Sequence, residues 1–254
     1  MREWIYGRNP VYETLLAGRR QAFRLRVSQG AQPKGRLDEI LQLARRHKLP
    51  VESVPRQVLD RLADGHQGIA LETSAYPYCT LPDILDQASA QNEPPFILIL
   101  DALQDPQNMG TLLRTAEITG VHGVILPLAR TATITPAVVN ASAGASEHLL
   151  VAQANLAQSI AQLKENDIWV VGLDSGASSK PINEVRLDGR LAFVVGSEGQ
   201  GMRDLVRNSC DLLLRLPMRG KIESLNAAIA GSVGLYLAWQ ARSFAGERGS
   251  TDSQ

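Results

Sequence analysis

A chain of 254 residues that is 44% hydrophobic and 20% charged is globular in composition and long enough for one large domain or two ordinary ones. No apolar run approaches the roughly 18 residues of a membrane span. The opening Met1-Arg2-Glu3-Trp4 lacks the apolar segment of a signal peptide, and the two cysteines, Cys79 and Cys210, match no metal-ligand spacing. The expectation is a reduced cytoplasmic protein with no membrane association and no metal. The formal net charge of zero hides an imbalance. Residues 1–73 carry 13 Arg/Lys against 8 Asp/Glu, and the remainder carries 13 against 18. Most of the cations in the first part are arginines, whose guanidinium forks suit phosphate, so this part has the charge of a nucleic-acid handle. The bland alternative is a solvated helix end, since Arg45-Arg46-His47-Lys48 also favours a helix C-terminus.

In chain order, residues 4–73 read as a small α/β unit. Pro10–Ala17 is a short helix opened by Asn9 and closed near Gly18. Phe23–Val27 is a strand, and Arg36–His47 places Leu37, Ile40, Leu41 and Ala44 on one helical stripe. Val51–Val54, Arg56–Ala63 and Ile69–Thr73 follow as strand, helix and strand. Between 74 and 95 the pattern fades into a connector punctuated by Tyr76-Pro77, Leu81-Pro82 and Pro94-Pro95, with a short helix at Leu81–Ala88. From 96 to 245 strands and helices alternate regularly. Strand Phe96–Asp101 leads to helix Met109–Thr119, strand Gly123–Pro127 to helix Pro136–Ala143, and strand Leu149–Val151 to helix Leu156–Glu165. Strand Trp169–Leu173, strand Leu191–Val195, helix Met202–Asn208 and strand Asp211–Leu216 precede a long helix from Ser224 to about Phe244. Such alternation predicts a largely parallel sheet with helices on both faces. Residues 246–254 are small and polar, a frayed tail.

Three polar clusters follow buried strands of the second part: Asn108-x-Gly110-x-x-x-Arg114, Gly196-Ser197-Glu198-Gly199-Gln200-Gly201, and Leu216-Pro217-Met218 with Ser224-Leu225-Asn226. Ligands of open α/β sheets collect at the carboxyl ends of strands, so three such loops point to one composite site. The glycine loop is neither a dinucleotide fingerprint nor a P-loop, and Glu198 would repel a phosphate. Taken singly, each cluster has a structural reading. The glycines make a tight turn, and Asp105 or Asn108 caps one helix. Ser224 and Asn226 both suit the start of the last helix, with Ser224 alone an ordinary cap, and Arg114 on an apolar helix either snorkels or pairs. The alternative for Arg114 is that it faces a cleft and grips a phosphate.

Together the clusters resemble the SpoU branch of the SPOUT RNA methyltransferases. The likeness runs through Leu100–Ala116, Val194–Met202, Leu214–Met218 and Ser224–Ala228. It extends to Ile5-Tyr6-Gly7, His66-Gln67-Gly68-Ile69 and Ser142-Ala143-Gly144-Ala145, and within the branch it is nearest the guanosine 2′-O-methyltransferases of 23S (large-subunit) ribosomal RNA. The resemblance implies a small ribosomal-protein-like RNA-binding domain (1–73), a linker (74–95) and a methyltransferase domain (96–245) with a deep trefoil knot. It implies S-adenosylmethionine at Leu173, Gly196, Glu198, Gly201, Leu216, Met218, Ser224 and Leu225, with no metal. The implied chemistry falls to Arg114, with Asn108, Glu198, Ser224 and Asn226 around it. Since guanidinium stays protonated, Arg114 suits a phosphate clamp and alkoxide stabiliser better than a base. The partners implied are 23S ribosomal RNA or an assembling large subunit, and a second copy of the chain as homodimer. Transfer-RNA guanosine 2′-O-methylation, a non-catalytic RNA-binding protein and a nucleotide-dependent dehydrogenase or kinase remain as alternatives.

Overall fold

The computed structural model describes residues 2–176, 178–222 and 224–247. From the start run β1 (Arg2–Tyr6), α1 (Arg8–Ala17), β2 (Ala22–Ser28), α2 (Arg36–Arg46), β3 (Val51–Val54), α3 (Arg56–Asp60) and β4 (Ile69–Ser74). Next come α4 (Leu81–Ala90), β5 (Phe96–Leu100), α5 (Pro106–Ile118), β6 (Gly123–Pro127), α6 (Pro136–Ala141), β7 (Leu150–Ala154), α7 (Leu156–Glu165) and β8 (Trp169–Leu173). The last section holds β9 (Lys180–Pro181), β10 (Leu191–Val195), α8 (Asp204–Ser209), β11 (Leu212–Arg215) and α9 (Ala227–Ala241). Contacts gather these elements into two compact units, neither continuous in sequence. One is the chain up to Tyr78 with Asp105–Arg114 and Ala132–Leu149; the other is Cys79–Gln104, Thr115–Thr131 and the chain from Leu150 on. Of the tail expected at 246–254, residues 248–254 lie outside the described residues.

The first unit is built on a four-stranded sheet in the order β1-β4-β2-β3. Period-two alternation sends Ile5, Leu25 and Leu71 into the core and gathers Trp4, Arg24 and Glu72 on the opposite face, where Arg24 bonds Glu72 at 2.7 Å and lies over the Trp4 ring. β1 has no counterpart among the expected elements, because Ile5 is its one fully buried residue and the charged neighbours mask the alternation. Nor does Asn9 open α1. Gly7 does, at φ +88, and the Gln67 side-chain carbonyl accepts the Arg8 N–H at 2.9 Å. Gln67 is held at φ +52 beside His66, whose ring accepts the Gly68 N–H and reaches Asp60. The Tyr6-Gly7 and His66-Gln67-Gly68 segments are thus two halves of one helix cap.

The Ser142–Ala145 segment is likewise structural. A Cβ at Gly144 (φ +91) would lie 2.6 Å from the Glu13 Cβ on α1. The single 3₁₀ turn after it brings buried Glu147 to Arg20 at 2.8 and 3.0 Å, while Glu3 takes a third bond at 2.7 Å. Burial alone would lower the Arg20 pKa; the bonds to Glu147 and Glu3 more than offset it and hold the guanidinium above its ordinary range.

The second unit carries a seven-stranded sheet, β7-β6-β5-β10-β8-β11-β9, in which every pairing is parallel. Such a sheet is covered on both faces, which is why its strands read as unbroken apolar runs. On one face Ile97, Ile99, Ala192 and Val194 pack with Ile84, Ile160 and Val206 from α4, α7 and α8. On the other, Phe193 meets α9 where Gly234 leaves room; a Cβ there would be 2.4 Å from the ring. The short helix expected at Leu81–Ala88 within 74–95 is present as α4. α4 is a core helix, capped by Thr80 and Asp83 and burying Leu81, Ile84 and Ala88. Helix ends also move: α5 begins at Pro106, α8 at Asp204, and α9 at Ala227 rather than Ser224.

Under β5 sits a buried titratable group. His122 accepts the Phe96 N–H through Nδ1 at 3.0 Å; its Nε2 lies 3.3 Å from Glu93 without hydrogen-bond alignment. Burial lowers the His122 pKa below the usual value and outweighs Glu93. The folded state therefore binds this proton more weakly than the unfolded one. His122 contributes stability above about pH 6.5, and that stability is lost as the pH falls below it. We expect the melting temperature to drop between pH 7.5 and 5.5, and to drop less in His122→Asn; equal drops by circular dichroism would remove this residue as the cause.

Candidate active site

All seven strands of the second unit are parallel, so the loops that leave β8, β10 and β11 emerge at one edge of the sheet. There they enclose a cavity of about 280 Å³. Gly196 leaves β10 with no space for a side chain. A Cβ would lie 2.2 Å from the Gly201 carbonyl carbon and 2.3 Å from the Met202 nitrogen. The loop closes on itself, Ser197 and Gly201 each donating an N–H to the other's carbonyl at 3.0 Å. Gly199 (φ +81) and Gly201 (φ +68) take left-handed conformations that cost glycine little.

Beyond the loop, Arg203 is pinned through its N–H and Nε to the fully buried Asp101 carboxylate at 2.8 and 2.7 Å. Met202 tucks beneath, against Gly172 of β8. After β11 the chain returns to the cavity with Ser224, Leu225 and Asn226. Asn226, not Ser224, caps α9, its Oδ1 accepting the N–H of Ala228 at 2.9 Å and of Ile229 at 3.2 Å. Its other end donates to Glu198 Oε2 at 3.3 Å. One side chain thus starts a helix and ties the third polar cluster to the second.

The structure brings Leu173, Gly196, Glu198 and Gly201 to this cavity together with Leu216, Met218, Ser224, Leu225 and Asn226. Asn108 and Arg114 are not among its lining residues; they stand on α5, in the first unit. There Asp105 settles the choice of cap, its carboxylate accepting the N–H groups of Gln107 and Asn108 at 3.2 and 3.1 Å. Gly110 lets α5 approach α6, since a Cβ would meet Ala141 at 2.4 Å. Arg114 is exposed and forms no ion pair among the described residues, so neither burial nor pairing fixes its side chain. Among the described residues no group of three or more His, Cys, Asp or Glu side chains is arranged to hold a metal.

Three cavity residues, Asp174, Ser175 and Ala230, and one support were not foreseen. Asp174 and Ser175 line the cavity beyond Leu173, and Asp174 is bonded by Arg207 at 2.9 and 3.1 Å. Asp101 is the support, and its signal was legible: a carboxylate closing the apolar run Phe96–Leu100 must be buried, and a buried carboxylate needs a cation. Cys210, behind the loop, is a poor nucleophile, because burial pushes its thiol up to about 12. The cavity's donor set is informative. Carboxylates Asp174 and Glu198 face a single lining cation, Arg215, whose guanidinium is committed to the Ser179 carbonyl. With Leu173, Val195, Leu216, Met218 and Leu225 as apolar walls, this disfavours a polyphosphate and suits a partly apolar cationic or zwitterionic ligand.

Residues 95–236 match the SpoU rRNA Methylase family, and residues 4–79 match the RNA 2′-O ribose methyltransferase substrate binding family. YacO of Bacillus subtilis (strain 168), assigned to the TrmH family of tRNA/rRNA methyltransferases, is 41% identical over 249 residues, covering 96% of this chain and 98% of that one. The chain belongs to the SpoU family of RNA methyltransferases. S-adenosylmethionine is the methyl donor of this family, and the cavity's chemistry fits it. An AdoMet-bound rRNA methyltransferase from Sinorhizobium meliloti shares the fold at 23% identity, with a TM-score of 0.76 over 94% of this chain and 87% of that one. The TrmH/SpoU tRNA modifying enzyme of A. aeolicus, 21% identical, superposes on 59% of this SpoU chain and 76% of its own, with a TM-score of 0.53. No helix among the described residues is long and apolar enough to cross a membrane.

Proposed function

We propose that this SpoU methyltransferase methylates the ribose 2′-hydroxyl of a guanosine in 23S ribosomal RNA, in the cytoplasm and as a homodimer. The observation that carries the reading is Asn226, bonded at once to the first turn of α9 and to Glu198, because it makes one rigid wall from two loops. S-adenosylmethionine, when bound, supplies an electrophilic methyl group on sulfonium. Leu173, Leu216, Met218 and Leu225 would hold its apolar parts, while Gly196 and Gly201 let main chain close on it and Glu198 offers negative charge. Arg114 clamps the RNA phosphate beside the target and stabilises the alkoxide as the 2′-hydroxyl loses its proton. Asn108 and Asn226 orient the ribose or the arginine, and Ser224 binds near the hydroxyl. Positioning then supplies much of the acceleration.

Within this proposal residues 1–73 hold the RNA, 74–95 link, and 96–245 form the knotted methyltransferase domain. The strand order β5-β10-β8-β11 supports the knot, since β10 enters the sheet between two strands already laid down. The dimer finds support in α9, which leaves Ile229, Val233 and Tyr236 exposed at helical spacing, an apolar stripe that a monomer would not keep. Support for ribosomal over transfer RNA comes from the substrate-binding match over 4–79 and from the surplus cations of residues 1–73.

The test offers the purified chain labelled S-adenosylmethionine with unmodified 23S ribosomal RNA and, separately, transfer RNA. The expected result is a single 2′-O-methylguanosine in the 23S molecule. Label in transfer RNA alone would move the target to that class; RNA retained with no label in either would leave a binding protein without catalysis.

A further inference from the structure

The surplus charge of residues 1–73 is not spread evenly over the first unit, and tracing each cation to its partner locates it. On the sheet face, Arg24 is bonded to Glu52 and Glu72, Arg26 to Glu52, and Arg2 to Glu72. Arg20 is buried with Glu147 and Glu3, and Arg19 spends its guanidinium on the carbonyls of Pro77, Glu147 and Leu149 and on Tyr76. Arg36 pairs with Glu39, and Arg56 lies by Asp60. These arginines are neutralised or committed. Arg8, Lys34 and Arg61 stand singly in sequence.

What remains is one corner. Arg45, Arg46, His47 and Lys48 follow one another at the end of α2, all exposed, with no carboxylate partner among the described residues. A helix C-terminus gains about 0.3–1 kcal/mol from a nearby cation within its last turn, which accounts for one or two of them but not for Lys48. That residue sits past the helix at φ +52, where the buried Leu49 closes the turn by donating its N–H to the Ala44 carbonyl at 2.8 Å. This is the position that glycine or asparagine fills most cheaply. A lysine there accepts a backbone cost and is exposed to solvent.

We propose that the Arg45–Lys48 corner is the RNA-docking surface of the first unit, gripping the phosphate backbone without reading sequence, and that the arginine-rich sheet face is not. This rests on the RNA methyltransferase reading above. Exposed, unpaired guanidinium and ammonium groups release phosphate counterions on contact, whereas arginines already bonded to carboxylates would have to break those bonds first.

The test compares the full-length protein with the triple variant Arg45→Gln/Arg46→Gln/Lys48→Gln and with Arg24→Gln/Arg26→Gln, using in vitro transcribed 23S ribosomal RNA across a salt series. The corner variant is expected to bind RNA at least tenfold more weakly near 0.1 M salt. Its log Kd against log salt slope should be smaller by about 2–3, as three phosphate contacts dictate. Its KM for RNA should rise while kcat at saturating RNA and the affinity for S-adenosylmethionine stay unchanged, and the sheet-face variant should keep its slope. A corner variant with the normal slope and Kd, or a sheet-face variant with the larger loss, overturns this assignment and leaves the methyltransferase reading standing. Failure of the unaltered protein to bind RNA overturns both.

Discussion

Arg114→Ala is expected to lower kcat for methyl transfer by about a thousandfold or more while leaving the affinity for S-adenosylmethionine within twofold. Removing a single donor from a preorganised oxyanion site costs roughly 10²–10³ in rate, and losing the phosphate clamp adds the cost of misplaced substrate. Stability should hardly move, because Arg114 is exposed on α5 and forms no ion pair among the described residues. Arg114→Lys sharpens the test. It keeps the charge but not the two-pronged geometry, so partial recovery would assign the role to charge and continued loss would assign it to the fork. Single-turnover rates with cofactor affinity measured by calorimetry read both parts. Near-normal turnover in the alanine variant would remove Arg114 from the chemistry.

Gly196→Ala should damage binding rather than chemistry. Its methyl group would overlap the Gly201 carbonyl and the Met202 nitrogen at 2.2–2.5 Å, and both are main-chain atoms that no rotamer change can move. The Ser197–Gly201 bridge must open or β10 must shift. Overpacking of this kind typically costs about 1–3 kcal/mol, and a displaced loop takes the Glu198–Asn226 contact with it. The expected outcome is a loss of cofactor affinity of a hundredfold or more, with a lowered denaturant midpoint. Gly199→Ala is the control. Open space surrounds that position, so only the left-handed backbone is penalised, by about 1 kcal/mol. Equal effects of the two substitutions would show that conformation, not volume, governs the loop.

How far these features could be read in advance depended on whether their cause was local. Phe96–Leu100 and Leu191–Val195 are buried along their whole length, and a doubly covered parallel strand has no other way to appear in sequence. Gly199 and Gly201 were legible as a backbone device because positive φ selects glycine. The choice between Ser224 and Asn226 as the cap of α9 was not legible, since both residues accept N–H bonds and only the approach of Glu198 favours the asparagine. Gln67 capping α1 from a distant turn left no trace near Arg8. α4 was legible as a short helix, but its place in the core was not, because prolines flank it and its partner is distant: Ile84 packs against Gly123, where a Cβ would meet it at 2.6 Å.

The discontinuity of the first unit bears on how the protein is made. Its sheet is complete once residue 74 has been synthesised, yet Arg20 is then still without Glu147, and α1 lacks the turn that packs against Glu13. From residue 78 to residue 149 the ribosome must add 71 residues, about 4–14 s at 5–20 residues per second. During that interval a guanidinium destined for the interior has Glu3 and the Ser74 carbonyl but lacks its buried carboxylate partner. The amino-terminal half therefore waits on its distant sequence before it can settle, and a fragment cut at Tyr78 would inherit that wait permanently.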